Sequence, residues 1–364
     1  MLKVKPWLEN LVPYPPGKSL EELRRELGLS GPVYKLASNE NPLGPSPRAL
    51  EALGQALNQV HHYPEASYRT LRQALGDRFG VSPEKIVLGN GSNEILELLL
   101  RALVSPGEEV LMSNPSFLMY EKLAQAAGAR LQKIPLRAKR HDLKAFLEAT
   151  TPRTRLIFLD HPHNPTGSVL TAEELENFLR ALPAGVLVVL DEAYGEFVRE
   201  PRAARGIELF KSGYAVAVLR TFSKAYGLAG LRIGYGFLPE DLARVLNALR
   251  QPFNVNVLAV VAAEAALADE EHLRRTQELT WEGLDYLSQE LSALGLKPYP
   301  SQANFLLVEC GRPARPLYEA LLQRGIIVRS MEAYGFPEAL RISVGLPEEN
   351  RALVAALREV LREA

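Results

Sequence analysis

Between residues 86 and 238 the sequence alternates short apolar runs with longer segments whose apolar residues recur at helical spacing. The runs VLVVL (186–190) and AVAVL (215–219) are apolar at every position, the pattern of strands that helices cover on both faces. Strands that alternate with helices in this way pair in parallel. The sequence therefore predicts an α/β protein whose large domain has a mostly parallel central sheet flanked by helices.

Beyond residue 238 the pattern changes to long helical segments, followed by β-rich runs at 304–309, 325–330 and 340–345. This change predicts a smaller α+β domain at the C-terminal end. The first 40 residues are rich in proline and charge, which predicts an arm that packs on the small domain or on a partner subunit. The expected division is an arm (1–40), a large domain (41–250) and a small domain (251–364).

Composition excludes several classes of protein. Lys and Arg number 42 against 43 Asp and Glu, a formal net charge of -1, and no basic stripe is visible, so neither nucleic acid nor an anionic membrane is an expected partner. With Cys310 as the one cysteine, the chain forms no internal disulfide, which favours the cytoplasm. The apolar runs are shorter than the roughly 18 residues needed to span a bilayer. We expect a soluble cytoplasmic protein that acts on small molecules.

The segment RTFSKAYGLAGLRIGY (220–235) is the most informative. It places Lys224 between an apolar β-run and a Gly/Ala-rich turn, where α/β sheets bind ligands in the crevice beyond their strands. Alone, Lys224 would be interpreted as an ordinary exposed lysine. The string T-F-S-K-A-x-G-x-x-G, however, resembles the signature of the class-II, fold-type-I aminotransferases, which depend on pyridoxal phosphate. The resemblance implies that Lys224 forms a Schiff base with this cofactor.

Two further motifs of the family follow predicted strands. In DEAY (191–194) the resemblance implies that Asp191 meets the pyridine nitrogen of the cofactor and keeps it protonated, which strengthens the ring as an electron sink. It also implies that Tyr194 and, in HNPTG (163–167), Asn164 hydrogen-bond the phenolic oxygen of the cofactor. Without the resemblance, these motifs are a polar strand end and a turn.

The segment GNGSNE (89–94) joins a predicted strand to a helix, the geometry in which backbone N–H groups bind phosphate. Glu94 stands where a dinucleotide-binding fingerprint requires glycine, which weakens a nicotinamide-dependent dehydrogenase as an alternative. Ser92 is equally interpretable as a helix N-cap. The resemblance implies that the following residues bind the cofactor phosphate: Gly91, Ser92, Asn93, Thr221, Ser223 and Arg232.

Aromatic residues complete the expected cofactor site. In PSFLMY (115–120) the family stacks a ring on the pyridine face, which points to Phe117, with Tyr120 as the alternative. An aromatic residue at the start of a helix is, however, more often part of the core. The segment 61–75 resembles one that crosses a dimer interface, so Tyr63 is expected to reach the phosphate in the neighbouring subunit of a homodimer.

Arginines are the candidates for binding the substrate. Arg341 in LRISVG (340–345) resembles the family arginine that binds a carboxylate, a role that suits a bidentate guanidinium. Without the resemblance, Arg341 would be a salt-bridged residue at a strand edge. By resemblance, Arg329 would bind an anionic end of the substrate, and Tyr14 in VPYPPGKS (12–19) would approach it. His161 and His163 lack a partner at metal-ligand spacing, so no metal site is expected.

The resemblance covers nearly the whole chain and is strongest to the histidinol-phosphate aminotransferases. It implies transfer of an amino group from histidinol phosphate to 2-oxoglutarate, giving imidazole-acetol phosphate and glutamate in histidine biosynthesis. The sequence departs from many relatives at Asn93 and Phe117, where they carry Asp and Tyr. Three alternatives stay open: an aromatic amino-acid aminotransferase, a decarboxylase of a phosphorylated amino acid, and a non-enzymatic regulator of the same fold. The last is disfavoured because Lys224, Asp191 and Arg232 are all retained.

Overall fold

The computed structural model describes residues 3–13, 25 and 31–363. The α-helices with described bounds are α1 (Pro47–Ala56), α2 (Arg69–Phe79), α3 (Ser92–Leu103), α4 (Leu118–Ala126), α5 (Leu143–Ala149), α6 (Ala172–Ala181), α7 (Gly206–Lys211), α8 (Glu240–Leu249), α9 (Val257–Leu267), α10 (Glu270–Ala293), α11 (Ala314–Gln323) and α12 (Pro347–Glu363). The strands are β1 (Tyr34–Lys35), β2 (Ile86–Gly89), β3 (Glu109–Asn114), β4 (Arg130–Pro135), β5 (Thr154–Asp160), β6 (Leu187–Asp191), β7 (Val216–Thr221), β8 (Gly234–Phe237), β9 (Lys297–Pro298), β10 (Phe305–Glu309), β11 (Ile326–Ile327), β12 (Arg329–Ser330) and β13 (Ala339–Ser343).

A seven-stranded sheet with the order β2-β8-β7-β6-β5-β3-β4 forms the centre of the large unit. Strands β3 to β7 run parallel to one another, whereas β8 is antiparallel to both β2 and β7. Along β6, Val188 and Leu190 belong to one apolar cluster and Val189 to another, on the opposite face. The prediction of a mostly parallel sheet covered on both faces is therefore confirmed.

The carboxyl ends of the parallel strands carry polar residues. Strands β5, β6 and β7 end at Asp160, Asp191 and Thr221, and Asp160 is paired in register with Asp191. Ligands of α/β proteins bind beyond this edge of the sheet. Since all three residues are buried, the fold gathers polar groups at one place under the loops that follow the strands.

A second sheet, β12-β13-β10-β9, is antiparallel and packs against α10, α11 and α12. The sequence predicted one strand over 325–330, which is wrong: β11 pairs in parallel with β1, whereas β12 pairs with β13. The pattern of apolar residues is continuous there because both short strands are buried or half-buried. The two strands are separate because β11 pairs with β1 and β12 with β13, and no feature of the sequence indicates the pairing with β1.

Helix α10 contributes to both apolar cores, with Leu273 in the core of the large sheet and Leu284 in that of the small sheet. At the N-terminal end, the indole of Trp7 lies against Gly128 and donates a hydrogen bond to the carbonyl of Ala126 at 3.3 Å. The division at residues 40 and 250 stays a prediction. Among the described residues, no helix is both long and apolar enough to cross a membrane.

A turn after Lys224 depends on Gly227, whose φ is 70° and whose N–H donates to the carbonyl of Lys224. A Cβ at this position would collide with the backbone carbonyl of Gly44. We expect Gly227→Ala to lower the free energy of unfolding by about 3 kcal/mol or more, since it adds a backbone collision to the left-handed strain of about 1–2 kcal/mol. Urea-induced unfolding measures the change.

The matched control is Gly213→Ala, where φ is 85° but a Cβ would meet nothing within 4 Å. This variant keeps the strain without the collision and should cost only about 1–2 kcal/mol. Equal losses in the two variants would contradict the argument from close approach.

Candidate active site

A cavity of about 220 Å³ opens at the carboxyl ends of β5, β6 and β7. Most of the residues predicted from the sequence line it: Ser92, Asn93, Phe117, Asn164, Asp191, Tyr194, Thr221, Ser223, Lys224 and Arg232. They come from distant parts of the chain and meet because the parallel strands end at one edge. Ser38, Glu40 and Asp160 line the cavity as well, although the sequence had not singled them out.

Lys224 follows β7 and projects into this cavity. Its Nζ donates a hydrogen bond to the carbonyl of Ser38 at 3.0 Å. Burial and, to a smaller extent, the positive charges of Arg341 and Arg232 lower the pKa of Lys224 to about 8, against the opposing effect of Glu40. About a tenth of this amine is therefore neutral at pH 7, far more than of an ordinary surface lysine. The side chain can act as a nucleophile and as a base.

Asp191 is the last residue of β6 and only 5% exposed. The hydroxyl of Tyr120 donates to its Oδ2 at 2.8 Å, and the backbone N–H of Ala193 donates to its Oδ1 at 3.2 Å. Burial raises the pKa of Asp191 to about 7. No ion pair joins this carboxylate to another of the described side chains. A cation delivered by a ligand would keep it ionised, and a protonated pyridine nitrogen is such a cation.

Asn164 and Tyr194 are neighbouring residues in the wall of the cavity. The Tyr194 hydroxyl accepts hydrogen bonds from Nδ2 of Asn39 at 2.9 Å and from Nδ2 of Asn164 at 3.5 Å. Burial raises the pKa of Tyr194 to about 12, so the phenol keeps its proton and can donate it to an oxygen anion in the cavity. These groups fit a ligand that carries a phenolate beside Lys224.

Arg341 lies behind Asn164. Its Nη1 donates to Oδ1 of Asn164 at 2.6 Å and its Nη2 donates to the carbonyl of Ala37 at 2.9 Å. The side chain is buried, and its Nε makes no hydrogen bond within the described part of the chain. A buried guanidinium without a carboxylate partner is costly unless an anion binds. Arg341 is not a lining residue of the cavity but is linked to it through Asn164.

The opposite end of the cavity suits a phosphate group. Gly91, with a φ of 76°, caps α3, and a Cβ there would collide with the guanidinium of Arg232. Nη1 of Arg232 and the hydroxyl of Thr221 both donate to Oγ of Ser223, at 3.3 and 3.0 Å. A helix N-terminus, hydroxyls and a guanidinium together attract an anion. Since Gly91 is the cap, the alternative interpretation of Ser92 as the N-cap is wrong.

The two candidate aromatic residues occupy different positions. Phe117 stands at the N-cap of α4 and lines the cavity. Tyr120 is fully buried, stacks on Phe158 with ring centroids 4.8 Å apart, and directs its hydroxyl to Asp191. Phe117 therefore stays the candidate for stacking, and Tyr120 supports the carboxylate.

Four predicted residues that the structure describes do not line this cavity: Gly91 and Arg341, which lie next to it, and Tyr63 and Arg329. Tyr63 is 82% exposed and stacks on Phe253 with ring centroids 4.6 Å apart. Arg329 in β12 is paired in register with Arg341 in β13. Tyr14 falls outside the described residues.

Besides Ser38 and Glu40, the site residues that the sequence did not predict include Asp160 and Asn39. A signal for Asp160 was present, because TRLIFLD (154–160) is a buried run that ends in aspartate, as GVLVVLD (185–191) does. Asn39 stands in the motif SNENPLG (38–44), but nothing in its spacing indicates that its side chain would reach Tyr194.

His141, Asp160 and His163 form a buried cluster that offers ligand atoms within 4.8 Å of one another. Nε2 of His141 lies 2.9 Å from the carbonyl of Asp160, and Nε2 of His163 lies 3.1 Å from the carbonyl of Pro115. The Nδ1 atoms face the hydroxyls of Ser113 and Thr166, at 2.6 and 2.8 Å. A carbonyl only accepts, so each Nε2 carries a proton and has no lone pair for a metal. These contacts favour a hydrogen-bonded cluster over a metal centre.

Comparisons with known proteins agree with this geometry. Residues 32–357 match the family model described as Aminotransferase class I and II. Similar proteins include the histidinol-phosphate aminotransferases of Moorella thermoacetica, 46% identical over 97% of this chain and 91% of the relative, and of Anaeromyxobacter sp., 47% identical over 98% and 99%. Among solved structures, histidinol-phosphate aminotransferase from Sinorhizobium meliloti in complex with pyridoxal-5'-phosphate matches with a TM-score of 0.92 and 33% identity, over 100% of this chain and 98% of that one.

The raised pKa of Asp191 predicts a pH-dependent stability of the protein without bound small molecules. The folded-state pKa of about 7 lies above the ordinary value, so the protonated carboxyl favours folding and this contribution is lost as the pH rises through 7. Asp191→Asn is neutral at every pH. Between about pH 5.5 and about pH 8, the wild type should lose about 2 kcal/mol more stability than the variant, as measured by urea-induced unfolding. Parallel stability curves would contradict it.

Proposed function

Because the chain belongs to the class I and II aminotransferase family, we propose that it transfers an amino group from histidinol phosphate to 2-oxoglutarate, with pyridoxal phosphate as its cofactor. The products are imidazole-acetol phosphate and glutamate, in a step of histidine biosynthesis that takes place in the cytoplasm. The observation that carries the proposal is the cavity that joins an amine of lowered pKa, a buried carboxylate and a phosphate cradle.

The residues around the cavity fit the cofactor group by group. When bound, pyridoxal phosphate supplies a ring that withdraws electrons from the substrate carbon. Asp191 would hold the proton on the ring nitrogen, and Tyr194 with Asn164 would hydrogen-bond the phenolic oxygen. Phe117 would cover one face of the ring. The phosphate would be bound by Gly91, Ser92, Asn93, Thr221, Ser223 and Arg232.

Lys224 would bind the cofactor covalently and then move a proton. The Nζ of Lys224 lies at the cavity, where it would take a proton from the substrate carbon as a base and give it back as an acid. A base is most effective when its pKa lies near the working pH, which burial and two nearby arginines achieve for Lys224. Tyr120 would keep Asp191 in position through its hydrogen bond.

The substrate site must accept two different anions, since histidinol phosphate carries a phosphate and no carboxylate, whereas glutamate carries two carboxylates. Arg341 offers an Nε without a hydrogen-bond partner among the described residues and would bind a carboxylate. Arg329, in register with Arg341 on the neighbouring strand, would bind the far anionic end, and Tyr14 would approach it.

The exposed apolar residues support a homodimer. Leu50, Leu57, Val60 and Phe253 are exposed on or next to α1 and the turns around Tyr63. A soluble monomer rarely exposes so many large apolar side chains in one region. In the dimer, the hydroxyl of Tyr63 would bind the cofactor phosphate of the neighbouring subunit.

Two rivals share the chemistry: an aromatic amino-acid aminotransferase and a decarboxylase of a phosphorylated amino acid. All three would bind an anion through Arg341, so the difference must come from a panel of amino donors. We expect the purified protein to be yellow, to lose that absorbance with histidinol phosphate, and to prefer this donor over phenylalanine by at least about 100-fold in kcat/KM, about 3 kcal/mol of discrimination.

Lys224→Ala should lower kcat by about 10⁴-fold or more, because it removes both the covalent link and the proton carrier. Lys211→Ala is the matched control on the surface, where the lysine pairs with Glu208 of the same helix, and should leave kcat unchanged. A colourless protein that pyridoxal phosphate does not reconstitute would exclude the proposed chemistry. A preference for phenylalanine would exclude only the substrate.

The role of Tyr63 across the interface predicts complementation between variants. Tyr63→Ala should weaken cofactor binding about tenfold, because one hydrogen bond to a charged phosphate is lost. When Tyr63→Ala and Lys224→Ala subunits are mixed, each hybrid dimer regains one complete site that contains both Tyr63 and Lys224. At limiting cofactor, the activity should rise to about a quarter of the wild-type value, since half of the dimers are hybrid. No gain on mixing would contradict a role in the neighbouring site.

A further inference from the structure

Asp160 and Asp191 stand side by side at the cofactor end of the sheet. They are the last residues of β5 and β6, and the two strands pair them in register. Side chains at paired positions of parallel strands point to the same face, with the strands about 5 Å apart. Asp160 is 3% exposed and lines the same cavity. The proposed mechanism gives a role to Asp191 and leaves this second carboxylate unexplained.

Burial raises the pKa of Asp160, and its two hydrogen bonds come from neutral donors, so they bring no positive charge to its ionised form. Oδ2 accepts the backbone N–H of Asn164 at 2.7 Å, and Oδ1 accepts the hydroxyl of Ser116 at 2.7 Å. The N–H can only donate, so Oδ2 carries no proton. Nε2 of His141 and Nε2 of His163 lie 3.7 and 3.9 Å from Oδ1. Burial lowers the pKa of His141 to about 3 and of His163 to about 4, so both rings are neutral.

The other titratable groups near Asp160 are Asp191, Tyr120 and His161. Burial raises the pKa of Tyr120 and lowers that of His161, so neither supplies a positive charge near neutral pH. Two adjacent buried carboxylates raise each other's affinity for a proton. The cationic group that would relieve this repulsion belongs to the ligand in the cavity.

We propose that Asp160 is a second carboxylate of the cofactor site, which acts with Asp191 to hold the bound pyridoxal phosphate in its protonated form and which fixes Asn164 through its backbone N–H. The inference rests on the proposed function. Asp191 meets the ring nitrogen directly, whereas Asp160 acts through its charge and through Asn164, so it is a positioning residue. Its negative charge favours every protonated group of the cofactor over the deprotonated one.

Asp160→Asn separates the charge from the hydrogen bond. The amide keeps the size of the side chain and an oxygen that accepts the N–H of Asn164, but it is neutral. The measurement is the absorbance of the lysine-bound cofactor in the holoenzyme as a function of pH. The midpoint of this titration should fall by about one unit, because the removal of a negative charge at the cavity disfavours the protonated cofactor.

Turnover gives a second readout. We expect kcat to fall several-fold in Asp160→Asn while KM stays within about twofold, because the charge acts on the reacting cofactor and not on the bound substrate. Asp160→Ala is a second neutral variant. It places no amide group next to the backbone N–H of Asn164 or the hydroxyl of Ser116. Its midpoint should also fall, although Asp160→Ala additionally loses the contact to Asn164, and this second variant keeps the test valid if one variant folds poorly.

Glu109→Gln is the matched control. Glu109 is another buried carboxylate, but it stands at the amino end of β3, at the opposite edge of the sheet, where it pairs with Arg153 at 3.1 Å. Its loss should destabilise the fold without moving the midpoint. If Asp160→Asn and Asp160→Ala titrate as the wild type does, the inference is overturned. If the wild-type protein itself binds no chromophore, the proposed function fails instead, and the two failures are distinguishable.

Discussion

The site depends on the burial of carboxylates at the ends of parallel strands. Asp191 is placed where desolvation disfavours its charge, and the described side chains provide no cation to restore it. Asp191 is held in this buried position because Val188, Val189 and Leu190 of β6 pack in the apolar clusters on both faces of the sheet. The sheet therefore holds a buried carboxylate whose ionised form a cationic ring in the cavity would stabilise. Burial of the ionised Asp191 lowers the folding stability of the protein, and binding of the cofactor raises it again.

The same constraint explains the state of Lys224. Burial that disfavours a negative charge on Asp191 also disfavours a positive charge on the amine, so the two pKa values move towards each other. Arg341 and Arg232 add to the effect on Lys224 and at the same time offer donors for anions at two ends of the cavity. The net charge of -1 for the whole chain gives no indication of these positive charges around the cavity.

The sequence predicted the parts of the fold and site that short segments encode. The apolar runs of β6 and β7 and the string around Lys224 are local features, and both lie where they were expected. Contacts between distant segments were not predictable. Asn39 reaches Tyr194, and β1 divides a continuous apolar run into β11 and β12, through partners far away in the chain. The pattern of apolar residues indicates which positions are buried, but it does not indicate which distant segment packs against them.

Asp160 is a site residue that the resemblance to a family did not predict, because it lies outside the family motifs. The family motifs directed attention to Asn164 and to Asp191, and Asp160 stands in neither motif. Only the pairing of β5 with β6 brings the two carboxylates together. Once the register is known, the charge of Asp160 must be included, since a buried carboxylate beside another changes the proton affinity of every group in the cavity. The specific chemistry of this site therefore depends on a residue that strand pairing identifies and sequence motifs do not.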